Sequence, residues 1–210
     1  MATPRSQQVG IWIIAVVMLL GTLGSFLIMI LGNQNKKNDD ASLQTAYTAY
    51  QKDVAAQSKQ LSDKYYSTFS KYSTTPTAFS TDGIKTVTTN DLEVGDGETL
   101  TATSTYSAYY IGWNPKGVVF DQSIESGALK APIAGGNLID GWNEGVVGMK
   151  LGGVREITIP SDKAYGATGS GDNIPPNTPI KFIVMVIPKV ADIPMPQILV
   201  DYYSSQQQAQ

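Results

Sequence analysis

The chain has 210 residues, 42% of them apolar, with a formal net charge of -3 and neither cysteine nor histidine. That removes disulfides, thiolate nucleophiles, Cys/His metal sites and a histidine general base from any chemistry the protein performs. The balance of charge supplies no broad basic field, so no nucleic-acid partner is expected.

Residues 1–8 form a short N-terminal tail. Val9 to Leu31 reads VGIWIIAVVMLLGTLGSFLIMIL, and no charged residue lies between Arg5 and Lys36. A helix rises ~1.5 Å per residue, so this run spans the ~30 Å hydrocarbon layer, where only a helix satisfies its own backbone. Residues 9–32 are therefore read as a transmembrane anchor. A cleaved signal peptide is the competing reading, but the run is long for a signal core and no small-x-small site follows it. Counting Lys and Arg, with Arg5 before the run and Lys36, Lys37 and Lys52 after it, favours the C-terminal side inside. The Ser/Thr/Gln/Tyr-rich, lysine-poor body has the composition of an exported domain. The expectation carried forward is a single-pass membrane protein with its C-terminal domain on the extracytoplasmic face.

Residues 33–82 are read as a helical stalk and linker. Asp40 to Tyr72 contains no proline or glycine, and Leu43, Tyr47, Tyr50, Val54, Leu61, Tyr65, Phe69 and Tyr72 recur mostly at helical spacings. Asp39, Asp40 or Ser42 is the expected N-cap. Tyrosine-rich seams make poor coiled-coil cores. The helix is therefore expected to lie against its own domain or to be partly solvated, with a weak dimer through the stalk as the alternative. Ser73 to Gly83 is a linker by composition.

Beyond it, Thr99 to Gly112 alternates as a strand does, and Val154–Pro160 and Ile180–Ile187 are short β-branched runs. Asn143 to Met149 is the one plausible short helix. Several strands, many glycine turns and one short helix define an α+β domain at 83–190. GATGSG at Gly166 to Gly171 matches neither the dinucleotide nor the Walker pattern and reads as a flexible loop. In the C-terminal tail, 191–210, IPMPQILVDYY is apolar enough to pack back and SSQQQAQ reads as disordered.

From Gly83 to Val190 the chain carries an ordered set of short motifs. They are Val94-Gly-Asp-Gly97, Tyr109-Tyr-Ile-Gly112, Val119-Phe-Asp121 with Ser123, Leu138-Ile-Asp-Gly-Trp-Asn-Glu-Gly145, Gly148-Met149, Gly152-Gly-Val-Arg155, Ile157-Thr-Ile-Pro160, Ala164-Tyr-Gly166, Ile174-Pro-Pro-Asn177 and Phe182. Each is weak alone. In this order they resemble the FKBP-type peptidyl-prolyl cis-trans isomerases along the whole domain.

The resemblance implies a twisted antiparallel sheet wrapped around one short helix, and an apolar pocket between them. Carried over residue by residue, it implies Asp121, Tyr165, Trp142 and Phe120 as catalytic residues, with Trp142 as the floor under the proline ring. It implies Tyr110, Leu138, Ile139, Ile174 and Phe182 as substrate-binding residues. The Ile139 N–H and the Tyr165 hydroxyl would donate to substrate carbonyls. It implies no metal and no cofactor, proline-containing polypeptides as substrates, and macrolide inhibitors as a second ligand class. Leu129 stands where the family usually has an aromatic, and Ser170 and Asn173 make the loop before Ile174 more polar; both changes are expected to thin the apolar rim.

Taken singly, Phe120, Ile139 and Phe182 read as plain core, Trp142 as packed and inaccessible, and Asp121 as a strand-end carboxylate paired with a Lys or Arg. The chemistry suits such a site. Rotation about an X-Pro bond breaks amide resonance over a barrier of about 18–20 kcal/mol. The twisted amide is less dipolar than the planar one, so a dry aromatic pocket disfavours the ground state, and placed donors stabilise the twisted carbonyl. No nucleophile, metal or proton shuttle is required. A proline-peptide binding or chaperone-like module with little turnover is the rival reading.

Overall fold

The computed structural model describes residues 37–207. The expected anchor at 9–32 lies outside them, and among the described residues no helix is long and apolar enough to cross a membrane. The described residues fall into two compact units, Ser58–Val190 and 37–57 with 191–207.

The first helix, α1 (Lys37–Phe69), continues into a 3-10 turn at Ser70–Tyr72. It already runs at Lys37, so Asp39, Asp40 and Ser42 sit inside the helix and do not cap it.

In the larger unit, five strands form the order β1 (Thr88–Glu93), β7 (Val154–Ile159), β8 (Ile180–Pro188), β2 (Tyr106–Trp113), β3 (Val119–Gln122), every pair antiparallel. The short β6 (Ile133–Ala134) pairs with β2 beside β3, and β4 (Ile124–Glu125) and β5 (Ala128–Leu129) form a separate hairpin. The expected strand from Thr99 begins only at Tyr106. Upstream, the Thr101 N–H donates to Ser104 Oγ at 2.9 Å and the Ser104 N–H to the Thr101 carbonyl at 3.2 Å, so a hydroxyl-rich turn replaces the ladder.

The helix α2 spans Asp140–Gly145 and not Asn143–Met149. Ile139 has ψ 149°, which starts the helix there, and Gly148 at φ 80° closes the turn that follows it. Arg155 on β7 is buried and locks that end. Its guanidinium donates to the Gly145 and Val147 carbonyls at 2.9 and 3.0 Å and forks onto Asp91 of β1 at 2.5 and 3.1 Å.

Strand alternation sends side chains to opposite faces, and here both faces are covered. Tyr106, Ala108 and Tyr110 of β2, with Ile180, Phe182, Val184 and Val186 of β8, face a core shared with α2. Tyr109, Ile111 and Trp113, with Ile183, Met185 and Ile187, face a second core. That core is roofed by the end of α1. Phe69 is fully buried, its ring 6.2 Å from Tyr109, and Tyr65, Tyr66 and Tyr72 pack beside it. The Tyr72 hydroxyl donates to Glu93 Oε1 at 2.6 Å, tying the turn to β1. So the last turns of the helix, within the larger unit, pack on the sheet, and that unit takes in residues that composition assigned to stalk and linker.

The linker is likewise a folded strap. Ala78 pairs with Lys116, the Trp113 indole N–H donates to the Thr77 carbonyl at 3.1 Å, and the Phe79 ring sits under Lys181 Nζ at 5.2 Å. Ser, Thr and Pro composition gave no sign of this, because the strap is held through its backbone. Leu129 also belongs to this second core, so its loss of aromaticity does not thin the pocket rim.

In the smaller unit, α3 (Gln197–Gln207) contains the buried Leu199. Gln57 Nε2 donates to the Ala191 carbonyl at 2.9 Å, and Tyr47 adds to the burial that pushes the Tyr203 hydroxyl pKa up. The apolar tail packs back as expected, but Ser204–Gln207 are helical where disorder was expected.

Replacing Phe69 with Ala opens a cavity under β2 and should cost about 3–5 kcal/mol of unfolding free energy in the full chain. Denaturant titration followed by tryptophan fluorescence measures it, and a loss below about 1 kcal/mol would mean that the roof carries little of the stability.

Candidate active site

On the α2 side of the sheet, four aromatic rings meet edge to face around Phe182. Its centroid lies 5.1 Å from Trp142, 5.5 Å from Phe120 and 6.1 Å from Tyr110, at interplanar angles of 75°, 86° and 67°. Tyr110 in turn meets Trp142 at 5.7 Å and 83°. Such tilted geometry is the favoured one for rings with a negative face and a positive edge. Phe182 comes from β8, Tyr110 from β2, Phe120 from β3 and Trp142 from α2, so the cluster exists only when sheet and helix are assembled.

Trp142 is nearly fully buried, and its indole N–H donates to the Tyr106 hydroxyl at 3.1 Å. This bond fixes the plane of the ring. Tyr106 was missed in the sequence, although it stands two and four residues before Ala108 and Tyr110 on the same strand face. Its ring lies over Gly135, where a Cβ would come within 2.2 Å of it.

Gly112, which the sequence showed only as part of a motif, shapes the cluster as well. A Cβ there would stand 2.5 Å from Phe182 and 2.6 Å from Phe120, so the bare backbone lets the two rings close over the strand. Gly112 pairs with both Phe182 and Asp121 across the ladders, which places the site at the crossing of β8, β2 and β3.

The polar groups are few. The Tyr110 hydroxyl donates to Asp121 Oδ2, and the Gln122 N–H donates to Asp121 Oδ1 at 2.8 Å. Lys130 Nζ lies 3.7 Å from the same Oδ1, so Asp121 has the basic neighbour expected of a strand-end carboxylate. Burial pushes the Tyr110 hydroxyl pKa up, and its bond to Asp121 pushes the same way. Burial likewise raises that of Tyr165, with the Asp121 charge adding to it. Both phenols are thus protonated donors across the ordinary pH range. Tyr110 spends its proton on Asp121. The Tyr165 hydroxyl takes no hydrogen-bond partner among the described residues.

Ile139 is the N-cap of α2, and its carbonyl accepts from the Trp142 and Asn143 N–H groups at 3.0 and 3.1 Å. Its own N–H makes no bond among the described residues. Leu138 is held by the Asn143 side chain, which donates to the Leu138 carbonyl at 3.0 Å. Leu138, Ile139, Phe120 and Tyr165 pack as partly buried groups against the core that contains Tyr110, Trp142, Ile174 and Phe182. All nine residues named from the sequence therefore lie on one side of one sheet, Asp121 through Tyr110.

The loop carrying Tyr165 and Ile174 is folded on itself. Gly166, Gly169 and Gly171 take positive φ, Ser170 pairs with Ile174, and Asn177 donates its N–H to the Gly166 carbonyl at 2.8 Å. The buried Asn114 pins it from outside, donating to the Asn173 carbonyl at 2.8 Å while its own Oδ1 accepts from the Lys116 and Val118 N–H groups.

A family model for FKBP-type peptidyl-prolyl cis-trans isomerases matches residues 97–187. An FK506-binding protein of Neisseria meningitidis serogroup A is 39% identical over 98 residues, which cover 46% of this chain and 90% of that one. A probable FKBP-type peptidyl-prolyl cis-trans isomerase of Haemophilus influenzae is 33% identical over 148 residues, 70% of this chain and 59% of its own length. A 39 kDa FK506-binding nuclear protein of Drosophila melanogaster is 41% identical over 105 residues, half of this chain and 29% of its own length. The chain belongs to the FKBP-type peptidyl-prolyl cis-trans isomerase family, and it is an enzyme of that class.

Gly112→Ala should force Phe120 and Phe182 apart. Overpacking of this kind costs roughly 1–3 kcal/mol. Isomerase activity should fall further than the folded fraction alone accounts for, as measured by a proline-peptide assay beside thermal unfolding. Full activity would show that the two rings need not meet.

Proposed function

We propose that the aromatic cluster of Tyr110, Phe120, Trp142 and Phe182 is the proline pocket, and that the protein uses it to isomerise X-Pro bonds in folding polypeptides at a membrane. The observation that carries this reading is the four-ring cluster with one carboxylate and two protonated phenols at its edge. The proline ring rests against the Trp142 indole, whose plane the Tyr106 bond holds. Phe120, Phe182, Leu138 and Ile174 exclude water, which disfavours the planar, more dipolar amide. The Ile139 N–H and the Tyr165 hydroxyl donate to the carbonyls on either side of the bond, since both lack partners among the described residues. Asp121 holds Tyr110 and sets the charge at the pocket edge. No bond is made or broken covalently, and nothing titrates during the turn. A macrolide of the kind for which the FK506-binding relatives are named competes with peptide for the same rings.

The test is a proline-peptide assay with an apolar residue before proline. Tyr165→Phe removes one neutral hydrogen bond, worth about 0.5–1.5 kcal/mol, and should lower kcat/KM about three- to tenfold. Asp121→Ala leaves the Tyr110 hydroxyl without its acceptor and should lower it by at least as much. Unchanged kinetics for both variants would mean that the pocket lies elsewhere. Background rates for the folded wild-type chain would favour a binding module.

The uncharged run at 9–32 supports membrane attachment, and the composition of the body supports an extracytoplasmic catalytic domain, against the Lys/Arg count. The protein should sediment with membranes. Protease added to intact spheroplasts should digest the catalytic domain, and protection until lysis would place that domain in the cytoplasm.

A further inference from the structure

The end of α1 lies outside the family match at 97–187, yet one of its residues bonds to the hairpin β4–β5, which leads directly into Lys130 beside Asp121. Ser62 is buried in mid-helix. A serine in that position commonly turns back to its own helix, accepting or donating within four residues. This one instead accepts the Leu129 N–H on its Oγ at 2.9 Å, from the hairpin β4–β5. The next residue, Lys130, donates its N–H to the Ser123 carbonyl at 2.8 Å. Ser123 is itself buried and clasps Tyr110 twice. Its N–H donates to the Tyr110 carbonyl at 2.8 Å, and its Oγ accepts the Tyr110 N–H at 2.9 Å. Lys130 then extends its ammonium to 3.7 Å from Asp121 Oδ1.

We propose that Lys130 is a positioning residue for the Asp121 carboxylate, held in place from the opposite face of the sheet by Ser62 of α1 through the Leu129 N–H. This rests on Asp121 being a pocket group. A carboxylate that holds Tyr110 with one oxygen turns about its own bond unless the other oxygen is also held. Among the described residues Oδ1 has two holders, the Gln122 N–H and Lys130, and of these Lys130 offsets its charge. The hairpin alone is two short strands and cannot fix a lysine by itself. Ser62 supplies the third point of attachment. The Lys130 and Asp121 side chains are 37% and 40% exposed, so their attraction is modest and screened by salt.

In the full-length protein at low salt, Lys130→Met should lower kcat/KM about two- to fivefold, mostly through kcat, and the gap from wild type should close at high salt. Lys130→Arg should restore the rate, because charge and reach are kept. Asp121→Ala with Lys130→Met should be no slower than Asp121→Ala alone, since Lys130 acts through that carboxylate. Ser62→Ala should produce a smaller loss of the same sign and faster hydrogen exchange at the Leu129 amide. A Lys130→Met rate equal to wild type, an Arg variant as slow as the Met variant, or an additive double variant overturns the role of Lys130. Unchanged Leu129 exchange in Ser62→Ala overturns the role of the helix. If Asp121→Ala itself is silent, the pocket reading fails along with this one; if it is slow and Lys130→Met is not, only this proposal falls.

Discussion

Helix α2 can lie flush against β7 because it carries no side chain where the two touch. A Cβ at Gly141 would stand 2.2 Å from Ile159, and one at Gly145 would stand 2.5 Å from Ile157. The two glycines are one helical turn apart and share a face. Trp142 therefore points to a different side, toward Tyr110 and Phe182, and comes to rest in the aromatic cluster. A helix of six residues has almost no stability of its own. It stays folded because the sheet receives its glycine face and because Arg155 satisfies carbonyls at its far end while paired with Asp91. The aromatic cluster hangs on this close approach: without it the indole would not reach Tyr110 and Phe182 on the sheet.

Strand β2 is the wall shared by both halves of the larger unit. All eight of its residues are buried. Tyr110 faces the aromatic cluster and Tyr109 faces the end of α1, so the alternation that builds the cluster also builds the seat for the upstream helix. An antiparallel sheet with one wet face would show polar residues at every second position. Tyr109, Ile111 and Trp113 are apolar or aromatic at those positions, which is the mark of a sheet covered twice. The strap at Thr77–Phe79 completes the cover with backbone pairing and one ring.

The motifs legible in the sequence are those in which backbone shape dictates the residue. Gly112, Gly141, Gly145 and the aromatic positions around them can be read in order along the chain, and they gave the fold class and nine candidate residues that the structure gathers on one side of the sheet. What could not be read depends on partners far apart in sequence. Ser62 and Leu129 are 67 positions apart, and a serine in a helix carries no pattern that points to its acceptor role. The family resemblance alone puts Leu129 at the rim, and β4 and β5 are too short for alternation to assign it a face. Asn114 and Tyr106 act by hydrogen bonds whose partners, Asn173 and Trp142, lie on other elements. The linker misled because Ser, Thr and Pro composition reports solvent preference and says nothing about backbone pairing.

The two phenols of the site are not equivalent, and the difference follows from where each proton goes. Tyr110 and Tyr165 are both kept neutral by burial, and both feel Asp121. Tyr110 lies on a central strand, clasped at its backbone by Ser123, and its hydroxyl is already committed to the carboxylate. Redirecting it to a substrate would leave Asp121 partly unsatisfied in a half-buried place. Tyr165 lies on a loop turned by three glycines, and its hydroxyl takes no hydrogen-bond partner among the described residues. The loop is pinned at its outer edge by Asn114 and anchored in the core by Ile174. In the proposed mechanism the committed phenol is architecture and the uncommitted one is the donor. A carbonyl that moves as the amide twists needs a donor able to follow it, and a side chain on a pinned but locally adjustable loop meets that need better than one on a strand bonded on both sides.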